Sequence, residues 1–367
     1  MENDGESNIS SGQLNYLLKV CPCKTIFIAG SYGKTSCALL VSELLRHAGF
    51  VVGNEEARSF ESDEAFKGYD FIVLKVRLTE LSDLTGSPTV AVVTNLLAYP
   101  LESGTSYNEL IQCCCQLLCH GPGCKWIIVN RNYRFVYANI GKIQGDIIEF
   151  GTFGEMEKGS YLKEDELGLC LDGTARVAVR QSELLLPGIR NMEIYLAAIA
   201  AAGLFMPVEA MGGLMRQFKG APNHYEYVRN LNGVTYYNNA DSLLPSHAVT
   251  ALIPFEQRII FITGGDVDPV NPIPYKGLGL MIVSYVKKLI VIGDSSDDIL
   301  TETSKIRKYS SEKLKMVKAV SLQDAVSEAH KEAVEGDVVL FSPITPICFG
   351  ETFAGTGDAF RKAVNQL

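Results

Sequence analysis

The feature that most constrains this chain is a short loop between two regular elements. The apolar run Thr25–Ala29 leads into Gly30-Ser31-Tyr32-Gly33-Lys34-Thr35-Ser36, and an amphipathic stretch then runs to Gly49. A buried strand, a glycine turn and a helix opening on Lys and a hydroxyl residue form the context in which phosphates are bound. Glycines let backbone N–H groups approach an anion, and the helix N-terminus adds positive potential. Lys34 would neutralise phosphate charge, and the Thr35 hydroxyl is suited to ligate Mg²⁺. Gly30, Ser31, Gly33, Lys34, Thr35 and Ser36 are therefore the candidate phosphate-binding residues. The strict pattern GxxxxGK[ST] is missed, because Ile28 stands at its first glycine. A tight strand-to-helix turn with a solvated Lys is the competing reading, and the flanking elements weigh against it.

The rest of the chain supplies strands to surround such a loop. Apolar, β-branched runs occur at Phe71–Val76, Thr89–Asn95, Trp126–Asn130 and Asp146–Gly151, and again at Val234–Asn239, Arg258–Thr263, Leu289–Gly293 and Val338–Ser342. Helical stretches lie among them, at Thr35–His47, Asn191–Met206 and Ser321–Ala333; Ser321 with Asp324 is patterned as a capping box. Short apolar strands alternating with helices predict α/β architecture with mainly parallel sheet covered on both faces. At 367 residues the chain is long enough for two cores. Turn formers at Lys219–Asn223 mark the boundary. The expected organisation is a tail over 1–20, a first domain over 21–222 and a second over 223–367.

Charge and composition remove several function classes. An acid excess, net −9, offers no electrostatic footprint for nucleic acid or an anionic membrane. No run approaches the ~20 apolar residues of a membrane span, and the polar, acidic start is no secretory signal, so a cytoplasmic protein is expected. The ten cysteines include the consecutive Cys113, Cys114 and Cys115 and the lone pair Cys21 and Cys23. Without paired CxxC sites they read as reduced small hydrophobes rather than zinc ligands or disulfides. Ser342 and Asp358 lack a His at triad-like spacing, which argues against nucleophilic hydrolysis.

The loop resembles the G-[ST]-N-G-K-[ST]-[ST] loop of the Mur ligases, with Tyr32 in place of Asn. Further segments carry the same resemblance. Leu186-Pro-Gly-Ile-Arg-Asn191 before an Ala-rich helix is similar to the family's LPG-x-HN, and Gly220-Ala-Pro-Asn-His-Tyr-Glu226 to its G-x-x-HR-x-E junction. Gly233-Val-Thr-Tyr-Tyr-Asn-Asn239 and Ile260–Gly265 resemble elements of its third domain. Gly336–Pro343 with Gly357-Asp-Ala-Phe360 is most like the D-glutamate-adding branch. The resemblance runs from about Cys23 to the C-terminus. It implies a phosphate-loop central domain followed by a Rossmann-like domain, with ATP as cofactor and Asn191 on the nucleotide. The implied reaction is ATP-dependent amide ligation, in which an amino acid joins a cell-wall precursor carboxylate through an acyl phosphate.

Two departures from the family pattern set further expectations. Only about twenty residues precede the first strand, so the family's amino-terminal UDP-sugar domain is expected to be missing, as in folylpolyglutamate synthases. A protein partner or self-association over the side that domain would cover is the matching expectation. The polar ligands also change. Lys75 stands where the family has a metal-binding Glu, Cys114 where it has a carbamylated Lys, and Asn95–Gly104 contains no His. His224 takes the place of the junction Arg or, shifted by one residue, of the family's His. Gly264–Asp268 lacks the family's Lys, and Ser342–Phe349 replaces a small, polar segment. Mg²⁺ would then rest on Thr35, with Asp70, Glu80 and Glu102 as oxygen donors nearby in sequence. The alternative to a ligase is a pseudo-ligase that binds nucleotide and serves as a regulatory or scaffold module.

Overall fold

In a computed structural model, residues 9–54, 66–96, 106–119, 124–133, 145–242, 245–255, 258–267, 275, 277–345, 347–348 and 351–367 are described. The chain divides into two compact units. The first comprises Met1–Leu184 and Ile189–Phe218, the second Leu185–Gly188 and Lys219–Leu367.

The first unit is built on a nine-stranded sheet. Its strands are β1 (Lys24–Ala29), β2 (Val52–Gly53), β3 (Phe71–Lys75), β4 (Val90–Val93), β5 (Trp126–Asn130), β6 (Asp146–Gly151), β7 (Gly159–Lys163), β8 (Glu166–Cys170) and β9 (Ala175–Arg180). Their order is β2-β3-β1-β4-β5-β6-β7-β8-β9. All pairings through β6–β7 are parallel, and β7, β8 and β9 close the sheet as an antiparallel meander. The chain leaves β1 for β3 on one side and returns to β4 on the other. A crevice at the carboxyl end of β1 is therefore a topological switch point, where open α/β sheets hold ligands.

Period-two alternation explains how both faces are covered. Phe27, Ala29, Ile72, Leu74, Ala91, Val93, Ile127 and Val129 share one core with Leu14, Leu17, Leu110, Cys114 and Leu117. The alternate residues Ile26, Ile28, Val73, Val90, Val92 and Ile128 are fully buried too. Four helices matter here: α1 (Ser11–Val20), α2 (Lys34–His47), α3 (Tyr107–Cys119) and α4 (Ile189–Ala202). From Asn191 to Ala202 every residue of α4 is buried, as expected of a helix apolar nearly all round. It packs against α2.

One expectation is corrected. Residues 11–20, expected to belong to a tail, form α1, which opens on a capping box between Ser10 and Gln13. Leu14 and Leu17 are fully buried. The Ser11 hydroxyl donates to the Glu80 carbonyl at 2.8 Å and the Asn15 amide to that of Asp83 at 2.9 Å. Leu18 and Val20, partly buried, pack against the same core as Leu14 and Leu17. Among the described residues no helix is long and apolar enough to cross a membrane.

The second unit has a six-stranded sheet of order β10-β11-β15-β12-β13-β14. The strands are β10 (Glu226–Leu231), β11 (Val234–Asn238), β12 (Ile259–Gly264), β13 (Val286–Ile292), β14 (Lys315–Lys318) and β15 (Val338–Phe341). Only β10 pairs antiparallel. The helix Leu322–Glu332 is capped by Ser321, whose side chain accepts from the Asp324 N–H. The Asp324 carboxylate takes the Val320 N–H instead of completing the box. Lys288, 2 % exposed, is held by Glu328 at 2.8 Å and Glu332 at 3.3 Å, which is how a buried ammonium is tolerated. The fold is thus α/β: a phosphate-loop unit with a mainly parallel sheet, followed by a Rossmann-like unit.

Candidate phosphate-binding site

The loop after β1 is held open by its neighbours. Gly30 has φ 144°, and a Cβ there would lie 2.1 Å from Thr94 Oγ1, so no side chain fits. Gly33, at φ 76°, is the N-cap of α2. Between them the backbone of Tyr32 is clamped from the end of β4. Its N–H donates to Asn95 Oδ1 at 3.0 Å, and its carbonyl accepts from Asn95 Nδ2 at 2.9 Å and Thr94 Oγ1 at 3.0 Å. The Ser31 N–H donates to the Asn95 carbonyl at 3.2 Å. Lys34 Nζ donates to the Gly30 carbonyl at 2.8 Å, which lays its stem back across the loop. Thr35 sits half-buried in the first turn of α2 and Ser36 is buried. The arrangement fits a nucleotide phosphate: glycine-permitted backbone, a helix N-terminus and an ammonium converge at one place.

The Tyr32 side chain makes a second anchor that the sequence alone did not suggest. Its hydroxyl donates to Glu193 Oε2 at 2.5 Å and lies 3.2 Å from the Tyr133 hydroxyl. Asn132 donates to the other Glu193 oxygen at 2.7 Å, and the Arg190 guanidinium lies 4.7 Å from the Tyr32 ring centre. Burial first, and then the Glu193 carboxylate, push the Tyr32 phenol well above its ordinary range. Glu193 is 6 % exposed, an acidic residue followed by the apolar run Ile194–Ala202, and that was its one visible signal in the sequence. Asn191, in the same helix, is 8 % exposed.

On the opposite side of β1 the chemistry differs. The register pairs Lys75 with Ile28, so Lys75 ends β3 beside the loop. It is 8 % exposed, and Nζ lies 3.5 Å from Thr35 Oγ1, the hydroxyl suited to a metal ion. The acidic donors nearby in sequence do not gather here. Asp70 is at the amino end of β3, where its carboxylate accepts from the Val51 N–H at 2.8 Å. Glu80 accepts from the Arg77 N–H at 2.8 Å. Among the described residues no group of three or more His, Cys, Asp or Glu could hold a metal ion. Among the described residues it is Lys75 that stands at the Thr35 hydroxyl. Glu102, His120, Asp268 and most of Asn95–Gly104 lie outside the described residues, as does the His247 side chain.

The other singled-out positions are placed as follows. Cys114 is fully buried in the core of the first unit, and burial pushes its thiol well above the ordinary range. It is a packing residue there. His224 belongs to the second unit, with Nδ1 2.7 Å from Asp241 Oδ2. Beside it, Arg361 holds Glu226 at 2.6 Å and the Asn223 side-chain oxygen at 2.9 Å. Asn238 donates to both of these residues, at 3.1 Å and 2.9 Å. This network closes on itself around the junction segment and satisfies each of its buried polar groups.

A phosphate-loop unit followed by a Rossmann-like unit is an arrangement found in known proteins. No protein-family model matches the chain. The chain is 29% identical over 365 residues to UDP-N-acetylmuramoylalanine–D-glutamate ligase of Acetivibrio thermocellus, covering 97% of this chain and 77% of that protein. Its fold is similar to that of the MurF ligase of Thermotoga maritima in complex with ADP, with TM-score 0.64 and 16% identity over 96% of this chain and 83% of that one. It is also similar to Mycobacterium tuberculosis folylpolyglutamate synthase complexed with ADP and AMPPCP, with TM-score 0.61 and 12% identity over 96% and 95% of the two chains. The resemblance to the Mur ligases therefore holds along nearly the whole chain, in sequence and in fold.

Proposed function

We propose that the chain binds ATP at the loop Gly30–Ser36 and is built for the amide-ligase reaction of its relatives. In that reaction a carboxylate oxygen takes the γ-phosphoryl group and ADP leaves. An amine then attacks the acyl carbon, the C–O bond to phosphate breaks and an amide forms. Lys34 would carry the charge of the β- and γ-phosphates, and the loop N–H groups would orient them. The observation that carries this reading is the clamped loop backbone, which Thr94 and Asn95 hold at the N-terminus of α2. The relatives' names support a cell-wall precursor as the carboxylate and a D-glutamate-like amino acid as the amine.

The test is an ATP titration by calorimetry followed by an ADP-release assay with precursor and amino acid. Lys34→Ala is expected to weaken ATP binding by about 2 kcal/mol, the worth of a charge-assisted contact. Equal affinity in the variant would remove the loop from the reading. A second reading is a nucleotide-binding pseudo-ligase with a regulatory or scaffold role. Lys75 on the Thr35 hydroxyl favours it. ADP release that depends on both precursor and amino acid would exclude it.

A further inference from the structure

The corner between α1 and β1 carries chemistry that the phosphate loop does not use. Helix α1 ends at Val20, and Cys21-Pro22-Cys23 turns the chain into β1 at Lys24. Pro22 explains the stop: it has no N–H to continue the helix, and it disfavours the helical region for the residue before it. Cys21 accordingly stands at φ −68° and ψ 119°, while its own N–H still donates to the Leu17 carbonyl at 2.9 Å. Side chains at i and i+2 of an extended segment point to the same face. The two sulfurs are brought together in this way and lie 2.7 Å apart. A disulfide bond is about 2.05 Å long, which leaves about 0.7 Å to close.

The setting suits reaction as well as packing. Cys21 and Cys23 are free thiols. Both are half-buried, packed against the core of the first unit yet open in part to solvent, whereas Cys37 and Cys114 are fully buried. Burial first, and then Cys21, push the Cys23 thiol up to about 12. Cys23 thus keeps its proton near neutral pH, and attack on an electrophile falls to the Cys21 sulfur. Two sulfurs held in contact react with one another at an effective concentration far above that of a free thiol in solution.

We propose that Cys21 and Cys23 form a redox-active dithiol, oxidised to an intrachain disulfide by a small-molecule disulfide of the glutathione type. The Cys21 thiolate attacks one sulfur of the oxidant. A bond to Cys21 forms, the oxidant's own S–S bond breaks, and the thiolate released takes up a proton. The Cys23 sulfur then attacks Cys21. The Cys21–Cys23 bond forms, the mixed disulfide breaks, and the Cys23 proton passes to the second thiolate released. The chain gives up two electrons and two protons, and the oxidant leaves as two thiols. The new bond ties the end of α1 to the start of β1, at the end of that strand away from Gly30. The inference therefore does not rest on the nucleotide reading.

The experiment equilibrates the full chain at increasing ratios of oxidised to reduced glutathione, alkylates the free thiols and weighs the digested peptide that carries both cysteines. The peptide is expected to pass from a doubly alkylated form to an unalkylated one two hydrogens lighter, and dithiothreitol is expected to reverse the change. The same series in concentrated urea gives the behaviour of the sequence without its fold. The folded chain is expected to close at least about tenfold more readily, because the fold holds the sulfurs in contact. Cys23→Ser removes the second sulfur and is expected to retain glutathione on Cys21 as a mixed disulfide. Both cysteines alkylated at the most oxidising ratio overturns the inference, and so does equal closure in the folded and unfolded chain. Glutathione accumulating on the wild-type pair without closure overturns it as well. Cys23→Ser that takes up no glutathione overturns Cys21 as the attacking sulfur. The wild-type series decides alone if that variant does not fold.

Discussion

The two sides of β1 treat the loop in opposite ways. On the β4 side, neutral groups do the holding: Thr94 and Asn95 engage the carbonyl and N–H of Tyr32 and leave no net charge behind. On the β3 side, the Lys75 ammonium faces the Thr35 hydroxyl. The first arrangement fixes where backbone donors point. The second puts a cationic side chain beside the first turn of α2. Substitution on the β4 side should therefore be felt in folding and loop shape.

The sharpest way to break this comparison is Gly30→Ala. A Cβ would meet Thr94 Oγ1 at 2.1 Å and the Asn95 carbonyl oxygen at 3.0 Å, at φ 144°. Neither neighbour is the far end of a flexible chain, and Thr94 is itself hydrogen-bonded to the Ala29 and Tyr32 carbonyls. A loss of about 3 kcal/mol in unfolding free energy is expected, at the upper end of overpacking effects. Gly33→Ala should cost less, about 1–2 kcal/mol, because its Cβ meets the end of the Ile194 side chain at 2.9 Å, which can turn aside. Denaturant unfolding ranks the two. Equal losses would mean that the β4 clamp does not set the loop.

Asn95→Ala tests the clamp more gently. Asn95 is 1 % exposed and supplies both a donor and an acceptor to Tyr32. Its removal leaves the Tyr32 N–H without that acceptor, while Thr94 still serves the carbonyl. About 1–2 kcal/mol of stability should be lost. Denaturant unfolding measures the loss, and stability equal to that of the wild type would mean that Asn95 does not hold the loop.

These contrasts mark what could be read in the sequence. The strand, glycines, Lys and hydroxyl of the loop are contiguous, so their local chemistry was legible as one motif. Lys75 stood out by resemblance, yet its partner Thr35 is forty positions away, and only the pairing of β1 with β3 joins them. Glu193 and Tyr133 were not legible as loop anchors, because nothing local links either to Tyr32. The meander β7–β9 was missed for a different reason. Gly159–Lys163 and Glu166–Cys170 are each buried over four successive positions, but Gly, Ser, Lys and Glu interrupt their apolar residues, and Ala175–Arg180 is half exposed, so none shows the continuous apolar run that marks a central parallel strand. Helix α1 escaped because its buried surface rests mainly on Leu14 and Leu17.

The smallest expected effect concerns the Tyr32 side chain, which separates loop shape from loop anchoring. Tyr32→Phe keeps the ring beneath Arg190 and removes the hydrogen bond to Glu193. Asn132 still donates to the other Glu193 oxygen, so the carboxylate is not stranded. About 1 kcal/mol of stability should be lost near neutral pH, the usual worth of one hydrogen bond. The pH dependence gives the finer test. Burial and Glu193 raise the Tyr32 phenol above its unfolded value, which is about 10. The protonated phenol is therefore favoured in the fold, and its contribution is fully present below about pH 10. As pH rises further the unfolded chain ionises there first, and stability falls by up to about 1.4 kcal/mol per pH unit for this one group. Tyr32→Phe should remove that share and make the alkaline limb shallower, so the variant and the wild type converge above pH ~10. The limb should not vanish, because Tyr225 and Tyr237 are also raised by burial. Denaturant unfolding between pH ~7 and ~11 measures the two limbs. Parallel limbs would mean that the Tyr32 hydroxyl is not held by Glu193 in solution, and that the clamp from β4 shapes the loop alone.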